Sequence, residues 1–207
     1  MLKKAGLIIV PFLFLIFGIY LFESILILPD WIIDEDSGSR KFLLGIYGFS
    51  GLVIMINLIH FQIYTENNRI KISYQLSHRF SADRDIHELK MKNVYICTGC
   101  FGSFLGILLG LLLLGPYLLI SIPSNQNYWT LLIPTLFILM GYSRYIFELN
   151  PKIRIFQHFS LFFGLFFLFV VIDFVYSSFY MLIISFPIIL SFIAIRLLLA
   201  KINEENN

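Results

Sequence analysis

The chain has 207 residues, of which 58% are hydrophobic, 17% aromatic and 14% charged, with a formal net charge of +2 and a mean hydropathy of +0.84. Soluble domains carry roughly 25% charged residues, so there is too little polar surface here to coat a body folded in water, and a polytopic membrane protein is predicted. The small net charge gives no reason to expect nucleic acid as a partner, and the length leaves room for a single membrane domain spanning residues 1–207 with short loops.

In chain order, Gly6 to Leu28 is apolar except for Glu23 and lacks a small-residue cleavage site before Pro29, so it reads as a retained first span. An acidic loop from Pro29 to Lys41 follows. A second span runs from Phe42 to about Gln62, a third from about Val94 to Ile122 and a fourth from about Trp129 to Phe147. The fifth runs from about Phe159 to Tyr176 and the sixth from about Phe179 to Ala200, with Ser177 and Ser178 as the turn between them. The fold class predicted is all-α, a transmembrane helical bundle of about six spans. Between the second and third spans lies the longest polar stretch, residues 64–93.

The fifteen Lys and Arg set the orientation, because basic residues near span ends stay on the cytoplasmic side. With six spans and the N-terminus inside, all of them except Arg40 and Lys41 fall inside. Both termini are therefore predicted to be cytoplasmic, in the plasma membrane, with residues 64–93 as a cytoplasmic loop. Cys97, Cys100 and the histidines His60, His78, His87 and His158 then all belong to the cytoplasmic face.

The two cysteines of the chain stand three positions apart, Cys97-Thr98-Gly99-Cys100, where the loop enters the third span. The cytosol is reducing, so a structural disulfide is disfavoured against a metal site or a transient redox pair. A C-x-x-C turn brings two thiolates to one metal at about 2.3 Å. His78 and His87 are the nearest residues to complete a tetrahedral set, although their spacing fits no standard zinc finger. The predicted metal ligands are accordingly Cys97, Cys100, His78 and His87, with zinc as the ion, and Asp83, Asp85 and Glu88 as nearby proton acceptors if a bound water acts on a lipid or membrane-embedded substrate. Three alternatives stand beside this: a membrane thiol oxidoreductase working through the pair, a small transporter, and an assembly subunit with inert cysteines. A strand-like alternation at Ile70, Ile72, Tyr74 and Leu76, paired with Lys90 to Ile96, would hold His78 over 20 Å from Cys97 and exclude that ligand.

The segment Ser73 to Gly110 resembles the domain-of-unknown-function 2085 family of multi-spanning membrane proteins. Cys97, Cys100, Gly102 and Gly106 fall on that family's Cys, Cys, Gly and Gly, and His78 on its His, with Arg84 matching its Arg after one inserted residue. Ser77 stands where the family has its first Cys, and Gly99 where it has Arg between the cysteines. The resemblance couples His78 with the cysteine pair and implies no particular activity.

Gly102, Gly106 and Gly110 repeat every four residues, and Gly45, Gly48 and Gly51 every three, as small-residue seams that let helices approach closely. Packing within the chain is the preferred use, and a homo-oligomer through the Gly102/Gly106/Gly110 seam is the alternative. Glu23 and Asp173 near outer span ends, and Arg144 and Arg196 near inner ends, are placed to snorkel toward water. Membrane lipids are the expected surroundings, and no substrate is legible.

Overall fold

The computed structural model describes residues 37–60, 63–65, 88–91, 94–120, 128–145 and 150–205. Five α-helices make up the described membrane part: α1 Ser37–His60, α2 Thr98–Leu119, α3 Leu132–Tyr142, α4 Pro151–Tyr176 and α5 Phe179–Glu205. Ahead of α2 lie three short strands, β1 Ile63–Thr65, β2 Glu88–Met91 and β3 Val94–Cys97. They form an antiparallel sheet in the order β1-β3-β2. The predicted first span, Gly6 to Leu28, lies outside the described residues.

Among the described residues four helices are long and apolar enough to cross a bilayer, over Ser37–Ile56, Thr98–Leu119, Lys152–Tyr176 and Phe179–Arg196, and the chain is a membrane protein on that ground. α3 is different. Its eleven α-helical residues rise only about 16 Å, but the 3-10 turns Tyr128–Leu131 and Ser143–Tyr145 extend the helical segment to about 30 Å. Three span starts shift from the sequence reading, and the second span begins at Ser37 rather than Phe42, taking in the end of the expected acidic loop. α4 begins at Pro151 rather than near Phe159, since Pro151 stands at the first helical position and the Asn150 side chain accepts the Lys152 N–H at 3.2 Å, both favoured at a helix start. The third span is helical only from Thr98, because Val94 to Cys97 pairs as a strand.

α4 is the central helix, with 72% of its spanning window buried against 22 to 33% in the other three spans. Glycines bring its neighbours close. A Cβ at Gly102 would run into the Ile155 carbonyl, one at Gly106 would lie 2.5 Å from the Phe159 carbonyl, and one at Gly110 2.6 Å from the Phe166 Cβ. These approaches pair rising numbers with rising numbers, so α2 and α4 run parallel. Gly141 meets Leu161 while Gly164 meets Phe137 and Ile138, which sets α3 antiparallel to α4. α1 is antiparallel as well, with Gly51 against Phe166 and Arg40 against Asp173. The Gly102/Gly106/Gly110 seam is thus filled by α4 of the same chain, so this face is not open to a second copy. Gly45 has nothing within 4 Å of its would-be Cβ, and only Gly48 and Gly51 of that triplet pack.

The core mixes aliphatic and aromatic side chains from all five helices, among them Leu44, Ile107, Ile138, Leu165, Leu182 and Phe192. Tyr47 lies with its ring centroid 4.7 Å from Phe166 and 4.5 Å from Phe169. In lipid such contacts act by dispersion and close fit rather than by removing surface from water. α4 ends at Ser177, the single described non-glycine residue with positive φ (48°), whose N–H donates to the Asp173 carbonyl at 2.8 Å. The tight turn predicted at Ser177 and Ser178 is present.

Candidate functional site

The C-x-x-C straddles a junction between strand and helix. Cys97 is the last residue of β3, and Cys100 lies in the first turn of α2. β2 pairs with β3 so that Glu88 is the register partner of Cys97 and Leu89 that of Ile96, while Ile63 of β1 faces Ile96 from the other side. The strand predicted across Lys90 to Ile96 is therefore divided into β2 and β3, folded on each other, and the proposed partner Ile70 to Leu76 lies outside the described residues. Cys100 is half-buried and carries no disulfide. Thr98 is buried, and the Ser103 hydroxyl donates to the Gly99 carbonyl at 2.8 Å, which closes the first turn on itself.

The residue that meets this turn is His158, on α4 and 3% exposed. Its Nε2 lies 3.0 Å from where a Cβ at Gly99 would stand, and its Cβ lies 2.8 Å from the corresponding position at Gly102. Two missing side chains on α2 thus make the space that the imidazole occupies. On the far side of the ring, Arg144 Nη1 stands 3.4 Å from His158 Nδ1. A guanidinium can only donate, so Nδ1 accepts, and the ring of the neutral tautomer carries its proton on Nε2. In that tautomer the Nε2 N–H faces Gly99.

Around His158 the end of the bundle is polar and basic. Arg154, one turn earlier on α4, is buried; Gln157 donates to the Ser143 hydroxyl at 2.8 Å. The Arg196 guanidinium lies over the Phe162 ring at 4.9 Å, and the Tyr145 hydroxyl donates to the Arg196 carbonyl at 3.3 Å. Arg144 and Arg196 are tied into the helix interfaces rather than simply extended toward water.

Of the predicted ligands, Cys97 ends β3 and Cys100 lies in the first turn of α2, His78 and His87 lie outside the described residues, and the side chains of Cys97 and His60 are not described. Among the described residues no group of three His, Cys, Asp or Glu is placed to hold a metal ion. His158, read from sequence as one more histidine at a span end, is the residue brought to the turn. The signal that could have found it is Gly99 itself, a small residue between the cysteines with no turn that requires it.

A second polar cluster lies at the opposite end. Asp173 on α4, 5% exposed, accepts the Tyr117 hydroxyl of α2 at 2.8 Å and faces Arg40 of α1 at 3.7 Å. It does not reach out to solvent as the sequence suggested; it joins three helices. Its companion in the sequence reading, Glu23, lies outside the described residues.

Comparison with known protein families, with curated proteins and with solved structures finds no match to this chain in any of the three. The resemblance to the domain-of-unknown-function 2085 family therefore stands on the residues around the C-x-x-C alone.

Proposed function

We propose that this is a six-span membrane protein with cytoplasmic termini whose cytoplasmic end carries a thiol redox site: Cys97 and Cys100 as the reacting pair and His158 as a hydrogen-bond donor beside them. The alternating directions of α1 to α5 support five successive crossings, and the basic residues favour the C-x-x-C end as the cytoplasmic one. The single observation that carries the redox reading is the His158 ring against Gly99, with Arg144 on its other nitrogen. An Nε2–H donor and the first turn of α2 both favour negative charge on sulfur, which is the form that attacks a disulfide. In the forward direction the two thiols become one disulfide, releasing two protons and passing two electrons to a quinone or to a disulfide of a soluble partner.

The second reading is the zinc site of Cys97 and Cys100 with His78 or His87, and it is favoured by the cross-strand pairing that brings Glu88 to the level of Cys97. His158 serves it less well, because a ring nitrogen that binds metal must give up its proton, and Arg144 blocks the move of that proton to Nδ1.

One preparation separates the two. Cys100→Ser and Cys97→Ser variants are trapped in membranes by acid quench and alkylation, beside elemental analysis of purified wild type and the double variant. The redox reading expects a mixed disulfide in one single variant and less than a tenth of an equivalent of metal in the wild type. About one zinc per chain, lost in the double variant, would replace it with the metal reading. Unreactive thiols without metal would leave packing as the role of the pair.

A further inference from the structure

On its lipid side α4 carries Lys152, Phe156, Phe159, Phe163 and Phe167, spaced by three or four residues and so aligned on one face. The four phenyl rings form a continuous row. Their centroids are 5.9, 5.6 and 5.7 Å apart, and the planes are tilted by 20°, 6° and 27°. α2 approaches α4 on one side of this row through Gly102 and Gly106, and α3 on the other, where Phe137 meets Phe163 edge-on at 5.2 Å. Between α2 and α4, at the C-x-x-C end, lies an open groove of about 520 Å³ lined by Leu105, Lys152, Ile155, Phe156 and Phe159. Phe156 is 44% exposed.

Two features of this groove restrict what fits it. Past the groove's own Phe156 and Phe159 the stacked row continues to Phe163 and Phe167, so groove and row together extend about 16 Å along the helix, close to the roughly 15 Å of hydrocarbon in one leaflet. The groove is apolar along its length and has one cation, Lys152, at the end where α4 starts and the head groups of that leaflet lie. We propose that it holds an acyl chain of an anionic phospholipid, with the lipid phosphate paired to Lys152. A rigid row of stacked rings loses little side-chain freedom on contact with a chain, and a lysine near the head-group plane selects charge. This site is separate from the thiol pair and stands or falls without it.

The test is native mass spectrometry of the delipidated protein in detergent, titrated with phosphatidylglycerol and phosphatidylcholine of the same chains. Wild type is expected to bind phosphatidylglycerol about fivefold more tightly. Lys152→Ala should abolish that preference, Lys152→Arg should keep it, and Leu105→Trp, which fills the groove, should weaken both lipids. Equal affinity for the two lipids, a preference unchanged in Lys152→Ala, or a second copy of the chain as the sole adduct would overturn the proposal.

Discussion

At Gly99 what matters is the side chain that is absent, because any Cβ there would press on the His158 ring, and the imidazole reaches the cysteine turn only through that gap. Asp173 illustrates the opposite case, a charged side chain that the fold has enclosed. Removing one partner of a buried ion pair costs roughly 3–5 kcal/mol, and Arg40, still 16% exposed, recovers part of that by turning toward water. Asp173→Ala is therefore expected to lower stability by about 2 kcal/mol, and Tyr117→Phe by about 1 kcal/mol through loss of a single hydrogen bond. Unfolding in a fixed detergent, followed by circular dichroism, gives both values, and equal stability of Asp173→Ala and wild type would show that Arg40, Tyr117 and Asp173 are not a joint clasp. The sequence marked Asp173 as an intramembrane acid because hydropathy exposes any charge in an apolar run. It could not give its partners, which come from residues 56 and 133 positions away.

At the scale of elements, the helices were legible wherever apolar residues ran long enough, and the short polar break at Ser177 and Ser178 was enough to place the α4–α5 turn. The left-handed conformation at Ser177, φ 48°, carries a backbone cost that glycine would not. Ser177→Gly is expected to raise stability by up to about 1 kcal/mol, while Ser177→Val should lower it; the unfolding midpoints in detergent decide the sign. α3 and the start of α2 were less legible. The sequence gives no warning that the fourth span is an α-helix of eleven residues closed by 3-10 turns. Nor does it separate Val94 to Cys97 from the apolar run that follows, since a short apolar stretch suits strand and helix alike and its partners β1 and β2 decide.

For the whole molecule, the proposed topology makes the C-x-x-C end of the bundle, where the basic residues gather, the cytoplasmic one. This can be tested in intact cells on a Cys97→Ser/Cys100→Ser background. A membrane-impermeant maleimide should label a cysteine introduced at Ser37 directly, and one introduced at Asn203 only after permeabilisation. Labelling of both from outside would mean an even number of crossings between them and would overturn the five proposed. Four described helices gather around α4, three of them approaching it through glycines, and this arrangement leaves Phe156 and Phe159 of α4 lining a groove instead of part of the core.

Composition and hydropathy by themselves determined that the chain lives in a membrane, roughly where its helices run, which end is basic, and that the two cysteines form a local pair. These are properties of solvent preference and of short spacing, and both can be read along a chain. Only the tertiary structure decided that His158 packs against Gly99 between the two cysteines, which residues enclose Asp173, and that the glycine seam of α2 is occupied by α4. Each of those depends on helices far apart in sequence coming within a few ångströms, a distance set by the shape of whole helix faces and by where side chains are missing.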